Sequence, residues 1–392
     1  MGEWRGVSLY EIAEYINGRP TKPAEVTSTG VPVIKIAELN RGITDNTNRV
    51  AAQLVEDKHW VSPGDLLFAW SGSVGVYKYS GPRAALNQHI FRVISKSNVD
   101  QEFLRYLLLY KLPTFLSYAE NKKTTMGHVT IKDLQRTLVR IPPLSEQRAI
   151  AEVLGALDDK IEGNRKVMEM LDRAFQLKWR QLYKHPDCNR HCVLGDIVDT
   201  QYGFTASAST SKSGIKFLRV TDINKSNWIN WSAVPTVSVD DSIKDKYILR
   251  KGELLVARMA DPGKSAIYED EQVPAIFASY LVRLKPATYE EGLFIFGFLK
   301  SAEYLNNYAV GATTGSVQKH MNARIIVNTV IRLPDRQALM RFGADVIPIR
   351  EMLTALVKEN DKLMVLRDTL LPKLLSGELK VKDAESIVEE VT

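Results

Sequence analysis

Two long stretches of this chain carry apolar residues at alternating spacings of three and four. After Pro143 the chain runs without proline to Tyr183, and Leu154, Leu157, Ile161, Asn164, Met168, Leu171 and Phe175 fall on one stripe. That is the narrow seam of a helix that pairs with another helix. Ser145, with Glu146 and Glu152 close behind, suits a helix start, since a hydroxyl and early acids satisfy free amides. After Pro334 a similar stripe runs through Val346, Ile349, Leu353, Leu356, Asn360, Leu363, Leu370 and Leu374. Pro348 and Pro372 are expected to delimit or kink this second helix. Asn164 and Asn360 stand three residues past Ile161 and Val357. A seam Asn is a device that fixes register at some cost in stability.

The stretches before each helix read differently. Val33–Ile36 and Phe217–Val220 are short apolar runs opening on polar turns, which predicts strands. Asp65–Ala69 and Glu253–Ala257 predict buried strands after a Gly turn, each followed by a Gly-containing loop. Helical runs rich in Leu, Phe and Tyr follow at Gln101–Tyr118 and Leu293–Tyr308, their aromatics read as core.

These segments are two copies of one pattern. Leu9–Ile12 with Gly18 returns as Leu194–Ile197 with Gly203. Gly30–Asn40 returns as Gly214–Asn224, and Gly64 with its strand as Gly252 with its strand. Phe91-Arg92-Val93 returns as Val282-Arg283-Leu284, and Arg140-Ile141-Pro142 as Arg332-Leu333-Pro334. The order is kept at separations of roughly 184–192 residues. The expected organisation is an α+β globular segment over 1–143, a helix over 144–183, a second globular segment over 184–334, a helix over 335–379 and a tail over 380–392.

Composition narrows what such a chain does. At 392 residues, 45% hydrophobic and 25% charged, it can bury sizeable cores and does not read as disordered. The formal net charge of +6 divides unevenly: +5 on residues 1–143, zero on 144–183, +3 on 184–334 and −2 on 335–392. The basic surplus lies on the globular copies, which favours an anionic partner for them. Two cysteines argue against a disulfide scaffold and fit a reducing compartment. The first ten residues lack the form of a secretion signal. No stretch is apolar enough to span a bilayer, so the expectation is a cytoplasmic protein without membrane contact. A helix of about 40 residues spans ~60 Å, and half-sites on one face of B-DNA repeat every ~34–36 Å. Two basic domains on a helical spacer therefore have the dimensions of a ruler on DNA.

Two motifs invite chemistry and fail. Asp261-Pro262-Gly263-Lys264-Ser265 resembles the end of a phosphate-binding loop, but Arg258 stands where the first Gly is required. His185, Cys188, His191 and Cys192 are zinc-ligand types, yet eight residues cannot easily wrap one metal. No metal site is expected.

The helix-opening motif Ile141-Pro142-Pro143-Leu144-Ser145-Glu146-Gln147-Arg148 and its continuation Asp158-Asp159-Lys160-Ile161 resemble the specificity subunit of Type I restriction–modification enzymes. The stretch from Leu366-Arg367-Asp368 through Leu374-Leu375-Ser376-Gly377-Glu378-Leu379 is similarly typical of that family. The resemblance covers nearly the whole chain, though the globular copies match mainly by layout. It implies two tandem target-recognition domains, each reading half of a bipartite, asymmetric DNA site. It implies that the two helices pack as an antiparallel coiled coil with pseudo-twofold symmetry, set the spacer and dock two modification subunits. Those partners would carry S-adenosylmethionine, and a restriction subunit would use ATP and Mg. This chain would perform no chemistry and bind no cofactor. In keeping with that, it has neither an Asp/Asn-Pro-Pro-Tyr/Phe motif for a flipped adenine nor a Gly-rich methyl-donor loop.

Candidate DNA contacts follow from residue type. Lys122, Lys123, Thr124, Thr125, His128 and Lys132 in the first copy, and Thr313, Thr314, Ser316 and Lys319 in the second, form hydroxyl- and Gly-rich loops that suit phosphate. Arg19, Lys22, Trp70, Asn87, Gln88 and His89, against Gln201, Tyr202, Arg258, Lys264, Ser279 and Tyr280, are candidate base readers. The second set differs chemically from the first, as with Trp70 against Arg258, as readers of different half-sites require. The competing readings are a self-contained DNA methyltransferase or nuclease, and a coiled-coil protein-binding adaptor.

Overall fold

A computed structural model describes residues 4–121, 127–207, 214–310, 321 and 323–390. It resolves into two compact units, residues 1–159 with 364–392, and residues 160–363. The division falls within both long helices.

In the first unit, β1 (Arg5–Ser8) leads into α1 (Leu9–Ile12) and β2 (Ala13–Asn17). A reciprocal cap sharpens this start: Glu11 N–H donates to Ser8 Oγ at 3.3 Å, and Ser8 N–H to Glu11 Oε2 at 2.7 Å. The short strands β3 (Val26–Thr27), β4 (Val31–Ile34), β5 (Arg49–Val50) and β6 (Trp60–Val61) follow, with α2 (Ile36–Arg41) after β4. Thus Ile36, expected in a strand, opens a helical turn, because Glu38 turns back to accept from Lys35 N–H at 3.1 Å. Next come β7 (Leu66–Ala69), β8 (Gly75–Lys78), β9 (Ala84–Leu86) and β10 (Ile90–Ser95). Then α3 (Gln101–Glu120), α4 (Ile131–Arg136) and β11 (Leu138–Ile141) complete the copy. One sheet has the order β2-β10-β7-β8, a second β3-β5-β4-β9-β6, and β1 pairs antiparallel with β11. All four residues of β7 are buried, which accounts for its unbroken apolar run.

The helix α5 (Leu144–Tyr183) leaves this copy after Pro143. Gln147 of its first turn is 1% exposed. Its amide donates to Pro142 O at 2.9 Å and Asn98 O at 3.1 Å, and its carbonyl accepts from Asp100 N–H at 2.9 Å. One side chain thereby ties the helix to the start of α3. Further along, Asp158 accepts from Arg105 at 2.8 Å, Tyr106 Oη at 2.7 Å and Arg367 at 2.9 Å. The two sequence stretches carrying the family resemblance therefore meet in an ion pair.

The second unit repeats the plan with β12 (Cys188–Val193), β13 (Asp199–Tyr202), β14 (Ile215–Leu218), α6 (Val220–Ile223), β15 (Thr236–Val237) and α7 (Asp241–Tyr247). It continues with β16 (Leu254–Ala257), β17 (Ser265–Ile267), β18 (Ala275–Phe277), β19 (Leu281–Lys285), α8 (Tyr289–Leu299), α9 (Ala302–Tyr304), α10 (Ala323–Val327) and β20 (Val330–Pro334). The sheet β13-β19-β16-β17 repeats β2-β10-β7-β8, and β12 pairs with β20 as β1 does with β11. Val220, like Ile36, opens a helix instead of ending a strand. The helical run expected over Leu293–Tyr308 is interrupted after Leu299, where Ser301 Oγ accepts from Tyr304 N–H and caps a new turn. The most literal repeat is steric. A Cβ on Gly18 would sit 2.2 Å from Asn87 O, and one on Gly203 would sit 2.2 Å from Ala278 O. Only glycine lets the backbone cross there.

Helix α11 (Arg336–Ser376) runs on through Pro348 and Pro372, so neither proline delimits it. It ends at Gly377, whose φ of +76° no other residue adopts easily. The last helix is α12 (Val381–Glu389). In the second unit α5 and α11 lie antiparallel: Lys160 pairs with Glu359 at 3.1 Å and Lys178 with Asp345 at 2.8 Å. Asn164 Nδ2 donates to Asn360 Oδ1 at 3.0 Å, and Asn360 Nδ2 to Ile161 O at 3.2 Å. Leu154, Leu157, Met168, Leu353, Leu363 and Leu370 are buried, while Ile161, Leu171, Ile349 and Leu356 are partly buried.

These helices do not stand free. Met168, Leu353 and Val357 share a core with Leu218, Trp231 and Phe277, against which Leu171 and Leu356 also pack. Phe175, Trp179 and Tyr183 pack on Phe294, Phe296 and Phe298 of α8. The second helix carries one feature its apolar pattern conceals. Arg350 is 1% exposed, its Nε donating to Glu269 Oε1 at 3.0 Å.

Candidate nucleic-acid interface

The two copies build one backbone frame and dress it differently. In the first unit Trp70 follows the end of β7. Its N–H donates to His89 O at 3.2 Å, and its carbonyl accepts from Val129 N–H at 2.8 Å. In the second unit Arg258 follows β16, donates to Tyr280 O at 2.9 Å, and accepts from Met321 N–H at 2.7 Å. Strand register makes Asn17 the counterpart of Tyr202, and Phe91 of Val282. The crossings after β9 and β18 are also equivalent, Arg19 bridging Asn87 and Phe204 bridging Ala278.

The side chains on this frame form two different surfaces. Trp70 Nε1 donates to Asn17 Oδ1 at 3.1 Å, and its ring lies 5.6 Å from His89 and 5.7 Å from Phe91. Gln88 Nε2 lies 3.3 Å from His89 Nε2. In the second copy the Arg258 guanidinium sits 4.9 Å over the Tyr202 ring, with Tyr280 exposed beside it. The Tyr202 hydroxyl accepts from Ala323 N–H at 3.1 Å, which fixes the ring under the cation. Ser279 stands where the first copy has Gln88. A Trp/His/Gln surface offers stacking and amide geometry. An Arg/Tyr/Ser surface offers a planar five-donor cation.

Other residues singled out in the sequence are placed as follows. Arg19 is held by Glu25 and by Leu54 O. Lys22 is exposed on the turn beside that pair. Asn87 is buried and its Oδ1 accepts from His89 N–H at 3.4 Å, so it supports the frame from beneath. Gln201 is held by Arg283 and donates to Lys246 O at 3.3 Å. Lys132 is exposed in the first turn of α4, capped by Thr130, and His128 bridges Ser71. Lys264 opens on a cleft beside α5. Lys122, Lys123, Thr124, Thr125, Thr313, Thr314, Ser316 and Lys319 lie outside the described residues. Sequence reasoning passed over Asn17, which only the pairing of β2 with β10 brings beside Trp70.

Cys188 and Cys192 lie on β12, their thiols donating to Arg332 O at 3.4 Å and Ile331 O at 3.9 Å. Burial pushes the Cys188 thiol up to about 11. Among the described residues no group of three or more His, Cys, Asp or Glu is placed to hold a metal ion. No helix among them is long and apolar enough to cross a membrane. Lys264 and Ser265 lead into strand β17, where a nucleotide-binding loop would lead into a helix.

Comparison with known proteins adds a likeness. Residues 1–171 match the Type I restriction modification DNA specificity domain. The Type I restriction enzyme EcoBI specificity subunit of Escherichia coli is 24% identical over 370 residues, 84% of this chain and 76% of that protein. The MjaVIII specificity subunit of Methanocaldococcus jannaschii is 22% identical, covering 97% of this chain and 94% of that protein. The chain is similar to Type I specificity subunits over most of its length. Its fold is similar to a solved one. The crystal structure of the S subunit from M. genitalium superposes with a TM-score of 0.54 at 15% identity, over 95% of this chain and 96% of that one. The α+β fold with two long helices read from the sequence is thus similar to that of a Type I S subunit.

Proposed function

We propose that this chain is the DNA-reading subunit of a Type I restriction–modification enzyme. Each globular copy reads one half of a bipartite, asymmetric site. The paired helices set the spacer between halves and dock two modification subunits. The chain itself performs no chemistry. S-adenosylmethionine belongs to the modification subunits, and ATP and Mg to restriction subunits that join the assembly. The complex works in the cytoplasm, on double-stranded DNA.

The observation that carries this reading is the shared frame with exchanged side chains. Two copies under one structural demand would keep Trp70 and Arg258 alike. Two readers of different sequences keep the backbone and vary the edge that meets the bases. The test expresses the chain with its modification subunit and maps methylated motifs by modification-sensitive sequencing. Arg258→Ala relaxes one half-site and Trp70→Ala the other. If either substitution alters both halves, or neither alters any, the reading fails.

A further inference from the structure

The second unit contains a cleft of about 270 Å³ between α5 and the β16–β17 loop that the base-reading surface does not use. Its walls carry four cations, Arg180, Lys225, Lys264 and Lys300, together with Gln176 and Ser265. No carboxylate lines it, and among the described residues none of the four cations is within ion-pair distance of one. Ser265 is 1% exposed and its Oγ has no hydrogen-bond partner, and the buried Gln176 Nε2 has none either. Lys300 is anchored by donating to Ser265 O at 2.6 Å, which holds its ammonium at the cleft wall. Burial pushes its pKa down to about 8, with Asp172 opposing and Lys264 and Arg350 reinforcing the shift. A buried ammonium and two unused buried polar groups are costly unless something anionic completes them, and three further cations stand around them.

We infer that this cleft is a binding site for a phosphate group. A tetrahedral oxyanion accepts from several donors at once, and the amide, hydroxyl and ammonium groups here are donors without enough acceptors. Two of its polar residues are particular to the second copy. Strand register puts Gly75 and Val76 of the first copy where Lys264 and Ser265 stand. The phosphate can come from the backbone of bound DNA or from free inorganic phosphate.

The experiment uses the full chain and two sets of variants. One is Lys264→Gly with Ser265→Val, which installs the first copy's residues. The other is Arg180→Ala with Lys225→Ala, both exposed positions that folding tolerates. Inorganic phosphate is titrated at constant ionic strength against chloride, and the thermal midpoint is followed. A saturable rise of a few degrees in the parent, lost in both variants, is expected. No phosphate-specific rise, or a rise retained in the variants, overturns the inference. A second arm measures duplex affinity against salt. If DNA supplies the phosphate, the Arg180/Lys225 variant lowers the log–log slope by about 1. An unchanged slope with a lost phosphate response assigns the site to free phosphate. A parent that binds no DNA would sink the proposed function while leaving the phosphate arm intact.

Discussion

The Asn164–Asn360 pair makes the helix seam measurable. Both side chains are buried, and they share one hydrogen bond of 3.0 Å while Asn360 makes a second of 3.2 Å to Ile161 O. Asn164→Leu removes the first bond, worth about 1 kcal/mol, and leaves Asn360 Oδ1 buried without a donor, at a further ~1–3 kcal/mol. A single leucine facing an amide regains only part of the ~1.5–3 kcal/mol of full apolar burial. The expected net loss is about 1–2 kcal/mol. Asn360→Leu loses both bonds and strands the Asn164 amide, so it costs at least as much. The double variant strands nothing. It gives up two bonds, about 2 kcal/mol together, against two buried leucines worth ~3–6 kcal/mol. It is therefore more stable than the parent, with a coupling energy of about 3 kcal/mol or more. Urea unfolding of all four proteins closes the cycle. A register cost should accompany the gain: crosslinks reporting the Lys160–Glu359 and Lys178–Asp345 pairs become heterogeneous in the double variant. Additive effects of the two single substitutions would refute the account.

Arg350→Met leaves Glu269, and Asp172 at 3.9 Å, without their cation and destabilises the chain by about 3–5 kcal/mol, whereas Arg350→Met with Glu269→Leu recovers part of the loss; urea midpoints decide, and a double variant as unstable as the single one contradicts it. Burial raises the Asp158 carboxyl, but the hydrogen bonds from Arg367, Tyr106 and Arg105 more than offset that and hold it below its ordinary value. The contribution of Asp158 to stability is thus fully present above pH ~4 and is lost as pH falls through the lowered value. Asp158→Asn should lower stability at neutral pH and flatten the acid limb of the stability profile; an unchanged acid limb would count against the pairing. Inserting seven residues beside Asn164 preserves the seam period, so motif sequencing should report a changed spacer with both half-sites intact. Changed half-site bases would end the ruler interpretation.

The fold was legible wherever a rule acts locally. Period-3.5 spacing exposed both helices, and the ordered repeat exposed two copies before any strand was placed. Gly18 and Gly203 were legible as repeats, and the 2.2 Å approach to a carbonyl explains why. The errors share a cause. Pro348 and Pro372 carry a strong local stop signal, yet the helix runs on through both, and Ile36 and Val220 have strand propensity that a capping acid reverses. Arg350 was invisible because its neutraliser, Glu269, is 81 residues away and charge reads as surface until such a partner is found.

Which candidate residues share a surface was not legible from residue type. Residue type picked out Trp70, His89, Arg258 and Tyr280 because polar or planar groups beside strand ends suit base edges. It also picked out Arg19, Asn87 and Gln201, whose side chains are engaged by Glu25, His89 and Arg283. Both groups make contacts within the fold, Trp70 with Asn17 as Arg19 with Glu25, and those contacts depend on how the chain pairs. Asn17 reaches Trp70 because Asn17 pairs with Phe91, and Tyr202 reaches Arg258 because Tyr202 pairs with Val282. The positions of these candidate residues are therefore set by sheet register, while their identities differ between the copies. On the proposed function, such a chain would alter one half of its target without disturbing the frame, because the frame's contacts at Trp70 and Arg258 are made by backbone atoms.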